Sequence, residues 1–292
     1  MKKVILTILL SFLTIFVYAA PNEINIVSAE NFYGSIASQI GGKYVRVTSI
    51  LNNPNSDPHL FSTSASINIA ISKAQVIIYN GADYDVWMDN LLNSLSNNNK
   101  LAIINVSQLM GVKTGKNPHI WYNPETFPTV AKYLTKKLSN IEHDPQATKY
   151  FNANLQKFLN ENSKVQNLIK NIKQKYSNTP VTATEPVFGY MASALGLDMK
   201  GLDLQWKIMN DTEPTPKMLG AYEGLLNNKK IKILFYNNQV TDPTAKNILN
   251  LAEKNHIPVV GVSETMPKQE NVNQWMLSEL SKTKSALEST SR

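Results

Sequence analysis

Short runs of apolar, β-branched residues alternate along this chain with longer stretches in which apolar residues recur at helical spacing. Strand-and-helix alternation of this kind favours α/β layers with largely parallel sheets. The predicted strands cover 23–27, 44–51, 74–79 and 101–106, then 180–183, 199–203, 231–236 and 258–262. The predicted helices lie near 32–40, 64–73, 86–94 and 124–139, then near 187–195, 216–227, 242–254 and 272–287.

Between these two blocks, residues 144–176 carry an unusually long helical pattern. Asp144 and Pro145 supply a capping residue followed by proline at the first helical position. Neither glycine nor proline then interrupts the pattern before Pro180. A single helix of this length would run roughly 45–50 Å, at ~1.5 Å per residue. Two shorter helices that meet near Asn162 are the alternative.

The pattern therefore predicts an α/β protein with two lobes, each a largely parallel sheet flanked by helices, joined by one long backbone helix. We expect a signal peptide at 1–19, an N-terminal lobe at 20–143, the linking helix at 144–176 and a C-terminal lobe at 177–292. A chain of this length is long enough to be held together by its own core.

The start of the chain has the pattern of a secretory signal peptide. A basic opening precedes an apolar run from Val4 to Val17, and Ala19 completes a small-x-small cleavage site. The run is too short to span a bilayer. We expect cleavage after Ala19, because a later cut would place Pro21 next to the scissile bond, with an uncleaved anchor as the alternative. The chain contains no cysteine to carry a lipid. These features predict a periplasmic protein without a lipid anchor.

The net charge and the distribution of lysines argue against a nucleic-acid partner. The formal net charge of +7 falls to +5 once Lys2 and Lys3 leave with the signal peptide. The remaining lysines are scattered through predicted helices and are not interleaved with aromatic residues. This pattern is typical of solvated helix faces, so we expect no nucleic-acid partner. We expect a monomer.

Two of the four histidines stand in nearly the same setting. His59 follows Asp-Pro, and His119 follows Asn-Pro and precedes Ile-Trp. A proline fixes its own φ and biases the preceding residue toward extended conformations, so both imidazoles are predicted to sit on stiff loops. Neutral imidazole is the commonest metal ligand. Either histidine taken singly is more typical of a hydrogen-bonded structural residue.

Two carboxylates occupy matching positions after strands. Glu185 follows the predicted strand 180–183, and Glu264 follows 258–262, just as His59 and His119 follow strands in the first block. Ligands in parallel α/β sheets bind beyond the carboxyl ends of the strands, so we expect the four side chains to converge between the lobes. Two neutral imidazoles and two carboxylates would balance a divalent cation. Alternatively, Glu185 complements a helix dipole and Glu264 is a solvated loop residue.

With these features the chain resembles the substrate-binding proteins of metal-transporting ABC importers, the zinc and manganese class with a rigid backbone helix. The resemblance covers nearly all of the mature chain. It rests on these motifs: Ser-Asp-Pro-His at 56–59, Asn-Pro-His-Ile-Trp-Tyr-Asn-Pro at 117–124, Phe-Gly-Tyr at 188–190, Asp-Thr-Glu-Pro-Thr-Pro at 211–216, and the segment 257–267.

The resemblance implies a metal ion bound between the lobes and delivered to an inner-membrane permease powered by a separate ATPase. It implies His59 and His119 as ligands. The third family position is His in many zinc binders and Glu in many manganese binders, and here it is Glu185. The fourth position is usually Asp, which makes Glu264 the expected substitute in this chain.

Several alternatives stay open. Glu213 and Asp242 are weaker candidates for the fourth ligand. Many zinc members carry a histidine-rich loop, but here 111–117 contains no histidine. The cargo is expected to be one divalent ion, zinc or manganese about equally, with ferrous iron behind them.

Two rival functions also remain. In a periplasmic metal-dependent hydrolase, His59, His119 and Glu185 would hold zinc and Glu264 would act as general base. The sequence has no His-Glu-x-x-His helix and no nucleophile elbow to support that reading. The resemblance also covers proteins described as surface adhesins, against which the absence of a lipid anchor argues.

Overall fold

A computed structural model of the chain describes residues 23–53, 61, 63–95, 101–240 and 242–290. It confirms the predicted α/β class, with two parallel sheets flanked by helices and one long helix between them. The predicted signal peptide at 1–19 and His59 lie outside the described residues. Within the described ranges, no helix has the length and apolar character needed to cross a membrane.

The N-terminal lobe is built on four parallel strands: β1 (Ile24–Glu30), β2 (Val45–Leu51), β3 (Val76–Tyr79) and β4 (Ala102–Asn105). The strands lie in the order β2-β1-β3-β4, and Ile26 pairs with Val47 on one side and Val76 on the other. The strand β3 is fully buried, as expected for a parallel strand covered on both faces. The helices of this lobe are α1 (Asn31–Gly41), α2 (Ala65–Ser72), α3 (Val86–Ser94), α4 (Val106–Leu109) and α5 (Thr126–Glu142).

One uninterrupted helix, α6 (Pro145–Tyr176), links the lobes. The alternative of two helices that meet near Asn162 is therefore wrong. Asp144 caps the helix by accepting a hydrogen bond from the backbone N–H of Gln146 at 2.9 Å. Pro145 fills the first position, where its missing N–H costs nothing.

The C-terminal lobe repeats the same strand order with β5 (Pro180–Ala183), β6 (Asp198–Lys200), β7 (Ile233–Asn237) and β8 (Val259–Val262), arranged β6-β5-β7-β8. The predicted strand 199–203 extends past the observed C-terminal end of β6 at Lys200. The strand β6 stops at Lys200 because Gly201 turns the chain with a φ of 72°. The helices of this lobe are α7 (Gly189–Ala194), α8 (Leu202–Met209), α9 (Pro216–Asn227), α10 (Pro243–Lys254) and α11 (Val272–Ser289).

A continuous apolar core runs through both lobes. Trp275 of α11 stacks on Phe32 of α1 with ring centroids 5.8 Å apart, and it lies 5.5 Å from Tyr122. Tyr122 contacts Phe188 at 5.1 Å, and Phe188 stacks on Phe235 of β7 at 4.5 Å. We call these five rings the aromatic row. Because the row reaches from one lobe into the other, the lobes are joined by packed side chains as well as by α6.

We expect Trp275→Ala to lower the free energy of unfolding by about 3–5 kcal/mol, because it leaves a cavity in the middle of the aromatic row. Urea unfolding measures this loss. Trp206→Ala is the control, since Trp206 is only partly buried and lies on α8, outside the row. An equal loss in the two variants would contradict the importance of the row.

Candidate metal centre

His119 is buried in the N-terminal lobe on the side that faces the C-terminal lobe. It directly precedes a short 3₁₀ helix, Ile120–Tyr122. The side-chain oxygen of Asn117 accepts the backbone N–H of His119 at 3.1 Å and lies 2.7 Å from its Nδ1. An amide oxygen can only accept, so Nδ1 donates to it, and in the neutral imidazole Nε2 is then the nitrogen with the lone pair. Within the part of the chain that the structure describes, Nε2 makes no hydrogen bond.

Nε2 of His119 faces Glu264, which is also buried and follows β8 in the opposite lobe. The distance from Nε2 to Oε2 of Glu264 is 3.6 Å. Two ligands of one tetrahedral zinc ion, at ordinary Zn–N and Zn–O bond lengths, stand about 3.4 Å apart. The two atoms are therefore about as far apart as two ligands of one zinc ion.

Glu185 reaches the same place from β5. It precedes Pro186, which opens a short 3₁₀ helix, and its side chain is buried. Asn237, the last residue of β7, donates from Nδ2 to Oε2 of Glu185 at 2.6 Å and to Oε1 of Glu264 at 2.7 Å. The ends of three strands thus meet at one polar cluster, as expected for the carboxyl edge of a parallel sheet.

The predicted ligands are placed unequally. His119 and Glu264 contact each other, Glu185 is linked to them through Asn237, and His59 lies outside the described residues. In the described ranges no three His, Cys, Asp or Glu side chains group closely enough to hold an ion by themselves. The four-residue ligand set therefore stays a prediction.

The weaker candidates for the fourth ligand have other surroundings. Glu213 is exposed. Asp242 caps α10 by accepting the backbone N–H of Ala245 at 2.8 Å. Neither has a contact with His119 or Glu264 among the described interactions. Of the candidates for the fourth position, Glu264 is the one that faces His119.

Two amides that the sequence analysis missed organise the carboxylates. Asn237 holds Glu185 and Glu264, and Gln239 accepts the backbone N–H groups of Glu264 and Thr265 through its side-chain oxygen. Both are buried and follow the apolar part of β7. The sequence feature that could have identified them is their position at a strand end, which is the same kind of junction that identified the ligand candidates.

Hydrogen bonds also join the site-bearing loops across the cleft. Nδ2 of Asn117 donates to the carbonyl of Pro186 at 2.7 Å, and the Tyr190 hydroxyl donates to the carbonyl of Asn117 at 2.9 Å. The Tyr122 hydroxyl donates to the carbonyl of Ser263 at 2.9 Å. The loop of His119 is thereby tied to the loops of both carboxylates.

A second pair of buried acids lies near this cluster. Glu30 ends β1, and Asp85 accepts the backbone N–H groups of Asn80 and Gly81, both at 2.7 Å. Burial, and after it the charge of Asp85, raises the pKa of Glu30 well above its usual range. Burial raises the pKa of Asp85 to about 6, although Glu30 and the two N–H groups act to lower it.

Tyr84 adjoins both acidic groups. Its ring centroid lies 6.1 Å from that of His119. Burial, then the charges of Glu264 and Glu30, raises the pKa of the Tyr84 hydroxyl well above its usual range. Tyr84 therefore remains a neutral group between two sets of carboxylates.

Two lobes held by one long helix, with an imidazole and carboxylates facing each other in the cleft, define a solute-binding protein of the metal-binding class. Residues 26–286 match the family described as ZnuA, zinc-uptake complex component A, periplasmic. The chain belongs to this family, which confirms the resemblance seen in the sequence.

Individual relatives agree with this assignment. The chain is 24% identical over 256 residues to the manganese-binding lipoprotein MntA of Bacillus subtilis (strain 168), covering 83% of this chain and 80% of that protein. It is 21% identical over 236 residues to the iron-binding protein YfeA of Yersinia pestis, covering 77% and 73%. The solved structure of the periplasmic zinc binding protein TroA from Treponema pallidum matches with a TM-score of 0.75 at 16% identity, covering 91% of this chain and 99% of that chain.

We expect Asn117→Ala to weaken metal binding about 10–100-fold, because the imidazole loses the acceptor that fixes its tautomer and orientation. Competition against a chromogenic chelator measures the affinity. Asn123→Ala is the matched control: it removes the same type of side chain from the same loop, where it accepts the backbone N–H of Glu125. Unchanged affinity in Asn117→Ala would contradict the role assigned to this amide.

We expect Glu30→Gln to make folding stability less dependent on pH. A carboxyl group whose pKa is raised by folding stabilises the folded state fully when the pH is below its unfolded-state pKa. That stabilisation is lost as the pH rises through the folded-state pKa. Glutamine has no carboxyl group to ionise, so the variant lacks this loss. The loss amounts to about 1.4 kcal/mol for each unit by which folding raises the pKa. Its free energy of unfolding should therefore fall less between pH 5 and pH 8 than that of the parent protein.

Urea unfolding at both pH values makes this comparison. Glu253→Gln, which changes an exposed acid, is the control and should follow the parent protein. A pH dependence in Glu30→Gln as steep as that of the parent would contradict the assignment.

Proposed function

We propose that this chain is the extracytoplasmic capture component of a metal ABC importer. It binds one divalent transition metal, zinc or manganese, between its lobes and delivers it to a membrane permease driven by a separate ATPase. The observation that carries the proposal is the buried Nε2 of His119, 3.6 Å from a carboxylate oxygen of the other lobe. A buried polar atom without a hydrogen bond is costly, and a metal ion would remove that cost.

The proposed ligands are His119, Glu185 and Glu264, with His59 added from its Asp-Pro-His motif. Two neutral imidazoles and two carboxylates neutralise a divalent cation, so the closed site carries no net charge. The proposed lobes are 20–143 and 177–292. Each contributes two ligands, which makes metal capture depend on both lobes.

The proposed location is the periplasm. The signal peptide at 1–19 would be cleaved after Ala19, and the family is a periplasmic uptake component. MntA of Bacillus subtilis is a lipoprotein, whereas this chain has no cysteine that could carry a lipid. We therefore propose a released protein without a lipid anchor.

The comparisons favour a carrier over the metal-dependent hydrolase considered from the sequence. The family is an uptake component, and MntA, YfeA and TroA are named for the metals that they bind. We therefore propose binding and release of the metal, without turnover of a second substrate.

The test is a titration of the metal-free mature protein with zinc and with manganese, with bound metal counted by mass spectrometry. We expect one equivalent per chain, and we expect His119→Ala to abolish tight binding because no other atom replaces Nε2. His256→Ala is the matched control, since His256 is exposed. A parent protein that binds neither metal would contradict the proposal. Unchanged metal affinity in His119→Ala would show that His119 is not a ligand.

A further inference from the structure

A crevice lies at the junction of the two lobes, beside the candidate metal centre. Its volume is about 780 Å³, which is within the size range of sites for small organic molecules. The loop 111–117 lines it from the N-terminal lobe, and α7, β6 and α8 line it from the C-terminal lobe. We call it the junction crevice. The described candidate ligands do not line it, so it is distinct from the metal centre.

The side of the crevice that the C-terminal lobe forms is largely apolar. Tyr190, Met199, Leu202 and Trp206 line it, and Leu202 is 47% exposed. The Tyr190 ring is held in place, because its hydroxyl donates to the carbonyl of Asn117 at 2.9 Å. A concave apolar surface is stabilised when an apolar group displaces the water from it. This side therefore favours a ligand with an aromatic or aliphatic body.

The loop on the other side brings two lysines together. The backbone N–H of Lys116 donates to the carbonyl of Lys113 at 3.2 Å, which places the two residues at the first and fourth positions of a β-turn. Gly115 occupies the third position with a φ of 77°. Asp83 holds this turn, since its carboxylate accepts the backbone N–H of Gly115 at 3.0 Å and the hydroxyl of Thr114 at 3.3 Å.

Both lysines line the crevice, and their charge is not neutralised there. Among the described residues that line it, none is Asp or Glu. Neither Lys113 nor Lys116 forms an ion pair within the part of the chain that the structure describes. Two ammonium groups beside an apolar surface complement a ligand that carries a negative charge at one end.

We propose that the junction crevice binds an amphipathic organic anion. Its aromatic or aliphatic body lies against Tyr190, Leu202 and Trp206, and its carboxylate or similar anionic group is held by Lys113 and Lys116. This site goes beyond the proposed function, because it uses none of the candidate metal ligands. Exposed ammonium groups each contribute little free energy, so the apolar side supplies most of the affinity and the lysines select for the negative charge.

Two fluorescent probes with the same rings separate these two contributions. Anilinonaphthalene sulfonate carries an anionic group, and phenylnaphthylamine is the same ring system without it. Both probes are titrated into the parent protein and into a double variant that combines Lys113→Ala with Lys116→Ala. The matched control combines Lys132→Ala with Lys136→Ala, since both of these lysines are exposed on α5 of the same lobe.

We expect the parent protein to bind one equivalent of anilinonaphthalene sulfonate. Loss of Lys113 and Lys116 should weaken this binding about five- to tenfold and change the affinity for phenylnaphthylamine less than about twofold. The control double variant should bind both probes as the parent protein does.

Variants of the apolar side locate the probe. Trp206→Ala should weaken both probes about tenfold, because it removes part of the surface against which their shared rings lie. Leu202→Ala removes a smaller part at an exposed position and should weaken both about threefold. If Trp206→Ala fails to fold, as judged by circular dichroism, Leu202→Ala carries the comparison.

Three results would overturn the inference. The first is a parent protein that does not bind anilinonaphthalene sulfonate, and the second is equal weakening of both probes when Lys113 and Lys116 are lost. The third is a parent dimer, seen by sedimentation, that Leu202→Ala makes monomeric, since a second copy of the chain would then fill the crevice. Unchanged affinity in both Trp206→Ala and Leu202→Ala would place the probe elsewhere and overturn it as well.

Discussion

The aromatic row between the lobes is the constraint on which the rest of the structure depends. The candidate ligands come from loops at the ends of strands in two separate sheets, so their separation is set by how firmly those sheets are held together. Trp275 bridges α1 and the 3₁₀ turn beside His119, and Phe188 continues the contact into the second sheet. Together with α6, these contacts hold the two sheets in place and with them the 3.6 Å separation between His119 and Glu264.

The candidate site places the carboxyl groups of two glutamates in the protein interior. Glu185 and Glu264 are buried, and the amides of Asn237 and Gln239 donate to them or position their backbone. In the proposed site, a divalent ion would balance the charge of the two carboxylates. Glu30 avoids the cost of a buried charge in another way, because its raised pKa favours the neutral form beside Asp85.

Much of this architecture can be predicted from the sequence, because the signals are local. Asp144, Pro145 and the apolar repeat after them predicted the long helix, and strand-end positions selected His119, Glu185 and Glu264. The end of β6 was misplaced because Gly201 begins a turn that the apolar pattern does not reveal. His59 remains a prediction from its motif.

The parts that escaped prediction depend on tertiary packing. Asn237 and Gln239 follow a strand like the candidate ligands, but the role of an amide there depends on which carboxylates face it. Glu30 and Asp85 are far apart in sequence, and no local feature marks them as a buried pair. Contacts of this kind become visible only when the sheets are assembled.

The most direct test of the central claim is a crystal structure of the zinc-loaded protein, with the metal located by anomalous diffraction at the zinc absorption edge. We expect a single strong peak between Nε2 of His119 and Oε2 of Glu264, at about 2.0–2.2 Å from each. Asn117 should still accept from Nδ1, and Asn237 should still engage the carboxylates. A peak elsewhere between the lobes, or zinc bound only at the surface, would contradict the proposed metal site.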